Sequence, residues 1–233
     1  MPTRQLCLWR TFATATQLEQ AAVQHVLTAA EAAIHARGAF HLVLAGGTTP
    51  RRVYEALRSA HADWAHWHVW FGDERCLPPE HAERNSRMAG LAWLDHVAIP
   101  AGQVHAIPAE LGPAEAAGRY AQALADVGEF DLVLLGLGED GHTASLFPGH
   151  NWGTLPAAPD AMPVSDAPKP PPQRVSLSAQ RLGRARAVTF LVTGTGKRDA
   201  VAAWRAGQAI PATSITPAQG VEIWLEQLCC AQA

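Results

Sequence analysis

Residues 130–150 read FDLVLLGLGEDGHTASLFPGH, and this stretch decides the architecture. Asp131 leads into Leu132-Val133-Leu134-Leu135, an apolar run of strand length bounded by glycines. The run has no polar alternation, as expected of a strand covered on both faces in a parallel sheet. Gly136 and Gly138 then allow a sharp turn beside a ligand, and Glu139, Asp140 and His142 follow at once. Ligands of open α/β sheets bind beyond the carboxyl ends of the strands, so these groups stand where chemistry is expected.

Working outward, Phe40–Leu44 reads as a second central strand. It ends in Ala45-Gly46-Gly47-Thr48-Thr49-Pro50, with a helix expected from Arg51. A strand, a glycine turn and a helix N-terminus together have the form of a phosphate cradle. An ordinary tight β–α turn explains an isolated GGTTP equally well. Trp67–Phe71 is a third strand, and it delivers Gly72-Asp73-Glu74-Arg75 to its carboxyl end. Charged residues there suit a site, although a solvated loop is the commoner reason for them.

The remaining elements fall around these three. Gln5–Trp9 is expected as a first strand. Thr16 and Glu19 have capping-box spacing, ahead of Val23, Val26, Leu27, Ala30, Ala33 and Ile34 at helical period, with Gly38 as C-cap. Asn85 is expected to cap a short helix reaching Leu94, and Pro113 to open another with Ala117, Tyr120, Ala121, Leu124 and Val127 on one side. Residues 149–172 read as a surface loop of polyproline character. Arg174–Ser178 and Ala187–Thr193 read as strands, Arg198–Ala206 as a helix, and Val221–Leu225 as the strand that closes the sheet. The alternation predicts an α/β fold with a mostly parallel sheet and helices on both faces, as one domain over residues 1–233.

Composition narrows the functions. A hydrophobic fraction of 48% fits a folded globular chain, and a net charge of −3 gives no surplus for nucleic acid. Cys7, Cys76, Cys229 and Cys230 have neither zinc spacing nor a disulfide framework. The start, MPTRQLCLWRTFAT, has no apolar leader, and no run approaches membrane-spanning length, so a cytoplasmic protein is expected. Eight tryptophans scatter through the elements and read as core. Gly196-Lys197 lacks the rest of a nucleotide loop: Leu191 stands at the upstream glycine position and Arg198 at the hydroxyl position. There is no GxSxG elbow, and His142 and His150 do not have zinc-hydrolase spacing.

The motifs coincide in one order. Ala45–Pro50, Phe71–Arg75 with Pro78, His81, Asn85 and Ser86, then Gly136–Pro148, then Lys169-Pro170-Pro171-Pro172-Gln173-Arg174-Val175 together resemble the 6-phosphogluconolactonase family over nearly the whole chain. DGHTASLFP is the most specific part. The resemblance implies a Rossmann-like three-layer α/β/α sandwich shared with glucosamine-6-phosphate deaminase. It also implies hydrolysis of 6-phospho-D-glucono-1,5-lactone, the second step of the oxidative pentose phosphate pathway, with no metal or organic cofactor. The implied partner is a small phosphorylated sugar lactone, with neither nucleic acid nor membrane, and a monomer is the favoured state.

Such a reaction needs an activated water, a stabilised oxyanion and a hold on the phosphate. His142 is the candidate base, because imidazole titrates near neutrality, and the resemblance points to the same residue. Asp140 or Asp73 would orient it or hold the water, and the sequence does not choose between them. Thr48, Thr49 and the backbone of Gly46 and Gly47 are candidates for the phosphate, with Arg174 and Lys197 supplying charge and Arg75 reaching the lactone oxygens or the phosphate. The rival is an isomerase or deaminase of the same fold. In deaminases a glutamate follows the DGH histidine by five positions and a tyrosine follows the Asp-Glu pair; here these positions hold Phe147 and Arg75. A non-catalytic sugar-phosphate sensor would keep the cradle without the Asp140–His142 pair.

Overall fold

The computed structural model describes residues 5–230, so the first four residues of the MPTRQLCLWRTFAT start lie outside it. The chain runs β1 (Cys7–Phe12), α1 (Ala15–Arg37), β2 (Phe40–Leu44), α2 (Thr48–Leu57), β3 (Trp67–Phe71), β4 (Asp73–Arg75), α3 (Asn85–Ala92) and β5 (Val104–His105). It continues with α4 (Pro113–Ala123), β6 (Phe130–Leu135), β7 (Ala161–Val164), β8 (Arg174–Leu177), α5 (Ala179–Gly183), β9 (Ala185–Val192), α6 (Arg198–Arg205) and β10 (Val221–Glu226).

Seven strands form one sheet in the order β1-β10-β9-β6-β2-β3-β5, and every pairing in it is parallel. The apolar run at its centre, β6, is buried along its whole length, as a strand covered on both faces must be. The α/β fold expected from the sequence is therefore the one observed. Helix α1 lies against β2, β6 and β10 and packs on α2, while α4 packs on β7 and β8. The core is one continuous cluster that includes Leu42, Val69, Trp70, Leu132, Val133, Phe190 and Ile223. No helix among the described residues is long and apolar enough to cross a membrane.

The pattern misled at several borders. Helix α1 is capped by Thr14, whose hydroxyl accepts from the Gln17 N–H, two residues ahead of the expected Thr16. Gly38 ends that helix as expected, at φ 78°. The first strand starts and ends later than Gln5–Trp9 and takes the sheet edge, so β10 does not close the sheet but lies between β1 and β9. Helix α2 begins at Thr48, three residues before Arg51.

The larger correction is a second sheet. The segment Asp73-Glu74-Arg75 is no loop: it is the antiparallel partner of β8, which pairs in turn with β7 from within the proline-rich segment. Gly72 joins the two sheets. Its N–H donates to Leu44 O at 3.0 Å, beside the large sheet, and its C=O accepts from Leu177 N–H at 2.8 Å, at the end of the small one.

Candidate active site

Four adjacent strands, β9, β6, β2 and β3, end on the same side of the large sheet and send out glycine-rich turns. Between β6 and β2 the chain's order across the sheet reverses, the position at which such sheets bind ligands. A cavity of about 300 Å³ opens there. Gly46, Gly47, Asp73, Arg75, His142, Arg174 and Lys197 line it, so residues from five separate segments meet as the sequence suggested.

The turn after β6 closes on itself. The Gly138 N–H donates to His142 O at 2.7 Å, and the Gly141 N–H to Gly138 O at 3.0 Å. This closure brings His142 Nδ1 to 2.5 Å from Asp140 Oδ1, while the His142 N–H donates to the same oxygen at 3.2 Å. A Cβ on Gly138 would lie 1.9 Å from His142 Nδ1 and 2.6 Å from Asp140 Oδ1, so only glycine fits under the pair. With Nδ1–H directed at the carboxylate, Nε2 is left as the ring's acceptor. Phe147 is fully buried and packs its ring 4.8 Å from the His142 ring, at the position where a deaminase carries its glutamate.

Burial lowers the His142 imidazole below its ordinary value. The hydrogen bond and charge of Asp140 oppose that shift, and the nearby Lys169 charge adds to it. Burial alone would raise the Asp140 carboxyl, but His142 and the surrounding N–H donors outweigh burial and hold it below the usual carboxylate range. An imidazole kept neutral near pH 7, with its tautomer fixed, is equipped to take a proton from water.

Asp73 is held apart from this pair. Its Oδ2 accepts from Ser145 Oγ at 2.6 Å and its Oδ1 from Asn85 Nδ2 at 2.9 Å. Ala144, with φ 48°, is the single non-glycine residue of positive φ among the described residues; it lines the cavity and turns the chain so that Ser145 meets Asp73. Asn85 does not cap α3, as the sequence suggested. The Asn85 and Ser86 N–H groups donate instead to the fully buried Glu74, at 2.7 and 2.8 Å, so Glu74 serves the N-terminus of α3 and not the cavity. The Asn85 amide then packs on the Gly46 backbone so closely that a Cβ there would meet its Oδ1 at 2.1 Å.

The cations differ in how they are held. Arg75 donates from Nη1 to Glu83 O at 2.5 Å. Lys197 stands on the turn after β9, where burial lowers its ammonium, the charge of Glu139 opposes and that of Lys169 adds. Arg174 is nearly buried, and its guanidinium donates to backbone carbonyls of residues 169–171. Thr48 lies in an adjoining recess with Gly47, Arg75 and Asn85, outside the main cavity. Thr49 does not reach the cavity either: its hydroxyl bonds Thr193 Oγ1 at 2.6 Å and ties α2 to the end of β9.

Sequence reasoning placed Glu139 beside the site, where it lines the cavity, but missed Asn85 as a donor to Asp73, Ser145 as the second donor, and Lys169 as a lining group. Each lay inside a quoted motif without a role assigned to it: Asn85 beside the Asp73 segment, Ser145 in DGHTASLFP, and Lys169 in front of three prolines. Among the described residues, no group of three or more His, Cys, Asp or Glu side chains converges as metal ligands would.

Comparison with known proteins bears on the family and the fold. A family model described as glucosamine-6-phosphate isomerases/6-phosphogluconolactonase matches residues 13–224. A 6-phosphogluconolactonase of Nostoc sp. is 38% identical over 213 residues, covering 86% of this chain and 87% of the relative. That of Mycobacterium tuberculosis is 37% identical over 225 residues, covering 89% and 90%. A solved 6-phosphogluconolactonase from Thermotoga maritima superposes with a TM-score of 0.87 at 25% identity, covering 95% of this chain and 100% of that one. A monomeric glucosamine-6-phosphate deaminase, at 19% identity and a TM-score of 0.78, shares the fold. By its matched length and by the identity of these relatives, the chain belongs to the glucosamine-6-phosphate isomerase/6-phosphogluconolactonase family.

Proposed function

We propose that the chain hydrolyses 6-phospho-D-glucono-1,5-lactone to 6-phospho-D-gluconate, with His142 activating the attacking water. It is an enzyme, a carboxylic ester hydrolase of the oxidative pentose phosphate pathway. The observation that carries the mechanism is the His142–Asp140 pair, Nδ1 on the carboxylate and Nε2 free, on a cavity that Arg75, Arg174 and Lys197 also line. Phe147, in place of a second carboxylate against the histidine, favours hydrolysis over the carbon-acid chemistry of a deaminase.

In this reading Nε2 takes a proton from water as the water oxygen bonds to C1, and the carbonyl electrons move onto the oxygen. Asp140 stabilises the imidazolium that forms. Collapse of the tetrahedral centre breaks the bond between C1 and the ring oxygen, which takes the proton back from His142 and becomes the C5 hydroxyl. Asp73, whose charge is felt at His142, accepts a hydrogen bond from the water's other O–H, and that proton leaves to solvent when the product acid ionises to the carboxylate. The phosphate lies against Lys197, Arg75, the Gly46 and Gly47 backbone and the α2 N-terminus at Thr48; Arg174 adds positive charge. No cofactor takes part. The protein works as a cytoplasmic monomer on this small lactone, and its net charge of −3 supports leaving nucleic acid out.

The test generates the δ-lactone in place from glucose 6-phosphate and follows its loss above the spontaneous rate. Fast hydrolysis by the native protein, lost in His142→Ala and poor with unphosphorylated gluconolactone, is the expected result. A native protein no faster than buffer overturns the reading.

A further inference from the structure

The proposed reaction leaves one cavity-lining cation without a role. Lys169 is exposed, lines the cavity, and makes its charge felt at both His142 and Lys197. Among the described residues no hydrogen bond or ion pair anchors its ammonium, so its position depends on the backbone that carries it.

That backbone is held by Arg174. Its Nη2 donates to Lys169 O at 2.9 Å and to Pro170 O at 3.3 Å, and its Nε donates to Pro171 O at 3.1 Å. Three successive carbonyls thus turn toward one guanidinium, whose planar fork suits them in a way an ammonium would not. Arg174 is itself fixed by β8, only 5% exposed, with its guanidinium 5.5 Å from the centre of the Phe147 ring that supports His142. The flanks are closed by Ala167 N–H to Pro172 O at 3.0 Å and Cys76 N–H to Gln173 O at 3.0 Å. A guanidinium whose donors face carbonyls has few left for a substrate. Lys169 and Lys197 line one cavity, and the Lys169 charge lowers the Lys197 ammonium. Two such cations repel until an anion lies between them, so the arrangement favours a doubly charged group over none.

We infer that Lys169 recognises the phosphoryl end of the lactone together with Lys197, and that Arg174 is a positioning residue that acts by holding the Lys169–Pro171 segment. This rests on the lactonase reading above. Lys169 determines specificity for the phosphorylated substrate, and Arg174 contributes through it.

The experiment measures kcat/KM for the phosphorylated lactone and for gluconolactone in the native protein, Lys169→Met, Lys169→Arg, Arg174→Lys and the double variant Lys169→Met/Arg174→Lys, with thermal midpoints alongside. Lys169→Met lowers the phosphorylated-to-unphosphorylated ratio by about tenfold or more, mainly through KM, as expected for loss of one charge-assisted contact. It also moves the acid limb of the pH profile to higher pH, because the Lys169 charge lowers His142. Lys169→Arg restores most of both. Arg174→Lys lowers the ratio too, and the double variant is no worse than Lys169→Met. If Arg174→Lys does not fold, Arg174→Gln, which keeps amide donors for the carbonyls but no charge, takes its place and retains most of the ratio. An unchanged ratio and pH limb in Lys169→Met overturns the role of Lys169. Additive losses in the double variant, or an Arg174→Gln as poor as Lys169→Met, overturn the positioning role. An inactive native protein refutes instead the reaction on which both rest.

Discussion

The large sheet carries histidines at both poles, and only one pole is built for chemistry. At the carboxyl ends of the strands, His142 stands alone on a glycine turn with a carboxylate on Nδ1. Toward the opposite pole, His41 and His68, the second residues of β2 and β3, stack on each other, and His68 stacks on His105 of β5, with ring centroids 4.7 and 5.5 Å apart. His68 Nδ1 bonds His105 Nε2 at 3.2 Å, Trp70 Nε1 donates to His41 Nδ1 at 3.2 Å, and Trp70 stacks on His105 at 3.8 Å. A carboxylate is present there too, but Asp131 accepts from Arg37 and from the backbone N–H of His41, not from an imidazole. The difference lies in where the acid points. On a side chain it sets a tautomer and supports a cation; on a main-chain N–H it fixes a strand.

Breaking the upper pair has the largest expected effect. Asp140→Asn removes the group that fixes the His142 tautomer and stabilises the imidazolium. The expected loss in kcat is on the order of 10²-fold or more, with the thermal midpoint within a few degrees of the native protein. Since Asp140 opposes the effect of burial on His142, its removal also moves the acid limb of the rate profile to lower pH. Stopped-flow measurement of lactone loss across pH tests both, and an undiminished kcat would give the orienting role back to Asp73.

The matching change at the lower pole acts on stability. Asp131→Ala takes the acceptor away from the part-buried His41 N–H and from the Arg37 guanidinium, at a cost of about 1–3 kcal/mol in urea unfolding. Turnover per folded molecule stays at the native level, and a large kcat loss here would contradict the division between the poles.

A pH series sharpens the contrast further. Burial lowers His41, His68 and His105, with the charges of neighbouring histidines adding for His41 and His105; His105 reaches about 4. For His41, Asp131 opposes the shift and Arg181 adds to it. The unfolded chain therefore binds protons that the folded stack refuses. Stability from this source is present above the ordinary histidine value of about 6.5 and is lost as pH falls toward 4. Urea midpoints from pH 7.5 to 4 should fall across that window. The smallest effect belongs to His105→Phe, which removes one proton from the slope and leaves the lactonase rate at pH 7.5 as it was; a slope as steep as the native one would remove His105 from this account.

The parts of the fold readable in advance were those where chain chemistry is local. Strands β2, β3 and β6 are apolar runs ended by glycine, and the His142 turn follows one of them directly. The small sheet was not readable, because Asp73-Glu74-Arg75 is as polar as a loop and becomes a strand only through pairing with β8, about a hundred residues on. The choice between Asp140 and Asp73 depended on the closure of the 138–142 turn and on Ser145 and Asn85 taking up Asp73, contacts that no spacing encodes. Thr49 looked like a ligand by residue type, and its bond to Thr193 spans 144 positions.

Gly72 gives the site a mechanical character. Because the peptide units on either side of this one residue are each bonded to a different sheet, the two sheets behave as a welded joint and not as leaves on a pin. His142 follows a strand of one sheet, whereas Asp73, Arg75 and Arg174 ride on the other, so their spacing is set when the chain folds. Admission of the lactone is then the business of surface loops alone, and whatever rigidity the reaction demands is inherited from the architecture.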